Sequence, residues 1–145
     1  MGPGSIILVP IDFEATSRHA LDLARQLAGH IGAKVVVLHV YALPPYVYPG
    51  IGKKTLARLR EETAKSAQEM LDELVTKVGN VEPMVREGDP REVILEVIEQ
   101  IKPAFVVMGT RGREGLSRML VGSVAEEVLR ESPVPVMTVR GPEKD

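Results

Sequence analysis

Short apolar runs alternate with longer amphipathic stretches along this chain. Residues 6–11, 35–40, 81–87 and 105–108, and the run from Val134 to Val139, are brief and rich in β-branched side chains. Three of them are almost continuously apolar, which suits strands covered on both faces in a parallel sheet. The stretches between them carry helical spacing. Thr16 is placed to cap a helix with Ala20, Leu23, Ala24, Leu27 and Ile31 on one stripe, stopped by Gly32. Residues 53–78 repeat Leu56, Leu59, Thr63, Ala67, Met70, Leu74 and Val78 at steps of three and four. Asp89-Pro90 supplies a cap and a proline at the first helical position, followed by the stripe Val93, Ile94, Val97, Ile98 and Ile101. A last helix opens at Gly122-Ser123 and carries Val124, Val128 and Leu129.

The order βαβαβαβαβ predicts a doubly wound α/β fold: a five-stranded parallel sheet with helices on both faces and right-handed crossovers. In such sheets ligands bind beyond the carboxyl ends of the strands at the switch point. The first and fourth strands should flank that crevice, so Asp12 and Gly109 converge on it by topology alone. Residues 6–141 are expected to form one domain, with residues 1–5 a disordered lead-in and 142–145 a tail. The stretch Pro44 to Gly52 is too rich in proline and glycine for a helix or strand, and reads as a surface loop or a lid beside the second strand.

Composition narrows the chemistry. The chain has 145 residues, no cysteine and no tryptophan, 3% aromatic residues and a formal net charge of −2. An absent basic excess and scarce stacking aromatics argue against a nucleic-acid partner. The missing cysteines exclude disulfides, thiol catalysis and Cys-ligated zinc. No apolar run is long enough for a membrane span, and no basic-then-apolar leader opens the chain. The expected compartment is the cytoplasm. The histidines His19, His30 and His39 show no metal-ligand spacing; His39 reads as a satisfied core residue and the others as helix surface.

The sharpest motif follows the fourth strand. Gly109-Thr110-Arg111-Gly112, nine further residues and then Gly122-Ser123 place glycines, a hydroxyl and a helix N-terminus where an anion can be held. This Gly-x2-Gly-x9-Gly-Ser pattern resembles the nucleotide-binding signature of the universal stress protein family, in its ATP-binding branch. Ile7 to Phe13, Leu38-His39-Val40, Gly88-Asp89-Pro90 and Pro133-Val134-Pro135-Val136 are similar to other parts of that family, so the resemblance spans nearly the whole chain. It implies the strand order 3-2-1-4-5. It also implies that Asp12 faces the ribose or a metal-bound water, with Pro10 shaping the entrance beside it. Val40 would meet the adenine edge through its backbone, and Met108 and Gly109 would line the nucleoside. Arg111 and Gly112 would begin the phosphate loop, and Gly122, Ser123 and Val124 would complete the cradle. The implied ligand is ATP or another adenine nucleotide, with Mg2+ or Mn2+ as counter-ion.

Two positions depart from the family pattern. Glu14 stands where the family commonly has serine, and is expected to face solvent or the first helix N-terminus; Glu114 lies among Arg111, Arg113 and Arg118 in the phosphate loop. Competing phosphate signals are weaker. Gly50 to Thr55 would need glycine at Val47 and Ser or Thr at Lys54 to form a P-loop. His30-Ile31-Gly32-Ala33 falls at a helix end, and a phosphoacceptor receiver domain lacks its acidic cluster and terminal lysine here.

The resulting expectation is a nucleotide-dependent binding or regulatory module with at most slow ATP hydrolysis. The alternatives are a phosphoryl- or adenylyl-transferring enzyme, and an interaction module that holds no nucleotide. The last strand should lie at a sheet edge, and pairing with the same strand of a second copy would close a homodimer.

Overall fold

A computed structural model describes residues 4–43, 50–110 and 123–140. The chain runs β1 (Ile6–Pro10), α1 (Ala15–Ile31), β2 (Lys34–Tyr41), α2 (Lys53–Val78), β3 (Val81–Glu87), α3 (Pro90–Ile101), β4 (Phe105–Thr110), α4 (Ser123–Glu131) and β5 (Val136–Arg140). The five strands form one parallel sheet in the order β3-β2-β1-β4-β5, as expected. Pairing reaches back to Ser5, whose carbonyl accepts the Lys34 N–H at 2.8 Å.

The strand alternation builds two cores, one on each face. Ile7, Val9, Val35, Val37 and Val107 point to the side covered by α1 and by Leu71 of α2. Leu8, Val36, Leu38, Val106 and Met108 point to the side covered by α3 and α4. Such two-sided burial explains the uninterrupted apolar runs Ile7–Val9, Val35–Leu38 and Val106–Met108 in the middle of the sheet.

Element ends follow local chemistry. Gly32 stops α1 in the left-handed region at φ 73°, and its N–H bonds the Ala28 carbonyl at 2.8 Å. Asp89 caps α3 by accepting the Arg91 N–H at 2.9 Å, with Pro90 in the first turn.

Four local expectations are corrected. Thr16 is not the cap of α1: the helix starts at Ala15, and Glu14 occupies the cap position without a side-chain cap bond. The α2 stripe rotates away from Met70, which is 47% exposed, and buries Ala67 and Leu71. β5 begins at Val136, because the Ser132 hydroxyl holds Val134 in a turn, accepting its N–H at 3.1 Å and donating to its carbonyl at 2.8 Å. β4 runs on through Thr110, so Gly109 is a strand residue opposite Val139 and not a turn glycine.

Candidate functional site

Beyond the carboxyl ends of β1 and β4 lies a cavity of about 380 Å³. Its walls come from both sides of the switch point. Pro10, Ile11 and Asp12 continue β1, Leu38 and Val40 come from β2, and Met108, Gly109 and Thr110 end β4. The remaining wall is made by the starts of three helices. Thr16 and Ser17 are in the first turn of α1, Pro90 opens α3 with Ile94 one turn on, and Val124 and Ala125 follow the first residue of α4. Three positive helix ends therefore open on one space, an arrangement that favours an anion. The α3 end is partly answered by Asp89. The Arg91 backbone N–H, helped by the Arg91 side chain, holds its carboxyl below the ordinary 3.8 despite the opposing effect of burial.

Asp12 is held by a small network at the start of α1. Its Oδ1 accepts the Glu14 N–H at 2.9 Å and lies 2.8 Å from the Ser17 hydroxyl. The same hydroxyl lies 3.0 Å from the Glu14 carbonyl and accepts the Asp12 N–H at 3.2 Å. With a single proton, Ser17 donates to one of its two acceptors at a time. Ser17 is 5% exposed, whereas Asp12 is exposed. Oδ1 is thus committed, and among the described residues nothing bonds Oδ2, so one carboxylate oxygen is free for a ligand.

Gly109 has a different reason for being glycine than the sequence suggests. A Cβ there would stand 2.6 Å from the carbonyl carbon and oxygen of Thr16 and 2.9 Å from the Ser17 nitrogen. The missing side chain lets α1 pack its first turn onto β4, and its φ is not positive.

Of the residues expected at the site, Pro10, Asp12, Val40, Met108, Gly109 and Val124 meet at the cavity. Ser123 is the first residue of α4. Arg111, Gly112, Gly122 and Glu114 lie outside the described residues. Glu14 is exposed beside the site, its backbone rather than its carboxylate serving the helix start. The sequence did not single out Ile11, Thr16, Ser17, Leu38, Pro90, Ile94, Thr110 or Ala125 as site residues. A serine five residues after a strand-terminal aspartate was a signal for Ser17, while Pro90 and Ile94 had been assigned wholly to helix start and core. Among the described residues no cluster of three or more His, Asp or Glu side chains is spaced for a metal ion. No described helix is long and apolar enough to cross a membrane.

Comparison with known proteins agrees with this architecture. The model of the universal stress protein family matches residues 5–140. Universal stress protein MJ0531 of Methanocaldococcus jannaschii is 32% identical over 96% of this chain and 84% of its own length. Among solved structures, universal stress protein UspA from Lactobacillus plantarum superposes with a TM-score of 0.74 at 24% identity, covering 97% of this chain and 100% of that one. A family protein of Arabidopsis thaliana with AMP bound gives a TM-score of 0.67 at 19% identity, over 95% and 92% of the two chains. A universal stress protein in complex with cAMP gives 0.62 at 24% identity, over 95% and 98%. With its sheet order, its β1–β4 crevice and a family match over nearly its full length, this chain belongs to the universal stress protein family.

Proposed function

We propose that the cavity holds an adenine nucleotide, ATP foremost, and that the protein works as a nucleotide-dependent binding module. The observation that carries this reading is the convergence of three helix N-termini on one cavity whose opposite wall is apolar. A volume of about 380 Å³ lies within the usual range for small-molecule sites, roughly 300–1,000 Å³. Leu38, Val40, Ile94 and Met108 offer the apolar wall a base requires, and Thr16 and Thr110 offer hydroxyls. The phosphates would lie toward the α4 start, which Gly122-Ser123 opens in sequence, and Arg111 and Gly112 belong to the segment that leads to it from β4. Asp12, whose Oδ2 has no partner among the described residues, would meet a ribose hydroxyl or the hydration shell of a Mg2+ or Mn2+ counter-ion. The AMP- and cAMP-bound relatives support an adenine ligand in this fold.

The wall favours holding over hydrolysis. Among its described residues Asp12 is the sole ionisable group. Rapid phosphoryl transfer requires a positioned nucleophile together with charge stabilisation. We further propose that two copies pair through β5. That strand is the sheet edge, and Met137 on it is 41% exposed.

Mass spectrometry of the denatured protein, followed by calorimetry with ATP–Mg, AMP and cAMP, tests the reading. Co-purifying adenine nucleotide, or saturable binding weakened but still measurable with Asp12→Asn and Ser123→Ala, is the expected result. An empty cavity and no thermal shift with any of the three would overturn it.

A further inference from the structure

One residue beside the cavity adopts a backbone conformation its side chain disfavours. Phe13, next to Asp12, sits at φ 67° in the left-handed region. Glycine adopts that region freely, but a bulky aromatic residue there is an outlier that its surroundings must hold in place. What holds it is His39, at the end of β2. The two rings meet edge to face, with centroids 4.6 Å apart and planes 63° apart. The same imidazole lies with Nδ1 3.0 Å from the Ile11 carbonyl. A carbonyl only accepts, so Nδ1 carries the proton and donates it. The Ile11 N–H in turn bonds the Leu38 carbonyl at 2.8 Å.

His39 therefore grips the chain on both sides of Asp12, by the carbonyl before it and the ring after it. With the backbone fixed at Ile11 and Phe13, the turn brings the Glu14 N–H to Asp12 Oδ1. We infer that His39 and Phe13 are a positioning pair, one that orients the Asp12 carboxylate toward the cavity without either residue lining it. The inference rests on the nucleotide reading for its functional consequence, but the latch itself does not. Phe13 also packs against the core on the α1 side, so the latch ties the site to the body of the protein.

Two arms test it on the full chain. In the ligand-free protein, amide hydrogen exchange at Glu14 reports the bond to Asp12. His39→Asn keeps a donor near Nδ1 and removes the ring; Phe13→Gly accepts the positive φ and removes the other ring. Both should speed Glu14 exchange by about two- to tenfold, the scale of one aromatic pair, and leave Leu8 and Val9 in β1 unchanged. Phe13→Tyr should restore the wild-type rate. In the second arm, ATP–Mg affinity should fall by a similar factor, about two- to tenfold, in either variant. In an Asp12→Asn background neither variant should weaken binding further, because the carboxylate they position is gone. Unchanged Glu14 exchange, or losses that add in full to Asp12→Asn, would overturn the inference. Should the wild-type protein take no adenine nucleotide, the nucleotide reading falls, and the exchange arm alone decides the latch.

Discussion

Gly109 and Thr16 approach so closely that no side chain fits between β4 and α1: a Cβ on Gly109 would lie 2.6 Å from the Thr16 carbonyl carbon and oxygen. Both contacts are backbone atoms at a helix start, so relief requires moving the helix. Gly109→Ala should therefore lower stability by about 1–3 kcal/mol, the range for overpacking. Urea unfolding of the ligand-free protein reads this directly. A glycine kept solely for a ligand's approach would leave that stability untouched.

Ser17 and Asp12 form the second support of the site. Ser17→Ala removes the acceptor of the Asp12 N–H and the hydroxyl beside Oδ1. Because Asp12 is exposed, the cost is that of a lost hydrogen bond, about 0.5–1.5 kcal/mol. The expected outcome is a loss of this size in unfolding free energy, accompanied by weaker ATP–Mg binding because Asp12 loses one of its anchors. Asp12→Asn keeps an oxygen for the Glu14 N–H and should lose less stability than Ser17→Ala, so the two variants rank oppositely on stability and binding.

The alternation of strands and helices was legible for a physical reason: two-sided burial leaves uninterrupted apolar runs such as residues 35–38, and the crossover rules then make the sheet parallel and doubly wound. The strand order itself came from the family resemblance. Local choices settled by tertiary packing were less legible. Met70 and Leu71 are adjacent apolar residues, and the side of α2 that meets the sheet exposes the first and buries the second. Gly109 is required by the close approach of α1, which its sequence pattern did not show, since sequence does not tell which helix will press on a strand. Phe13 was the least legible, because its conformation opposes its own propensity and depends on His39, distant in sequence.

Asp89 gives a pH dependence of definite sign. Its carboxyl is held below 3.8, first by the Arg91 backbone N–H and then by the Arg91 side chain. A depressed folded-state value means that the ionised form stabilises the fold. That contribution is complete above the unfolded value and is lost as pH falls through the lower folded value. Asp89→Ala should cost about 1 kcal/mol near neutral pH through the lost α3 cap. Asp89→Asn retains a capping oxygen and should differ from wild type above pH 3.8, with the gap closing below it. Chemical unfolding of the three proteins across acid pH measures both effects.

The edge at β5 carries the proposed assembly. Val136 and Val139 are half-buried, while Met137 and Thr138 are exposed on a strand that no strand among the described residues pairs on its outer side. Leu129 of α4 adds a further apolar surface, 47% exposed. Antiparallel pairing of two β5 strands about a two-fold axis satisfies the open backbone groups of both copies and leaves no growing edge. Sedimentation at tens of micromolar should therefore report a dimer for the wild-type protein. Met137→Lys places like charges close together across that axis and should shift the equilibrium toward monomer. Raising the protein concentration should raise the unfolding temperature of the wild type and leave that of Met137→Lys unchanged, because only association links concentration to stability. A wild-type monomer at those concentrations would rule the dimer out, and the edge would then need another cover.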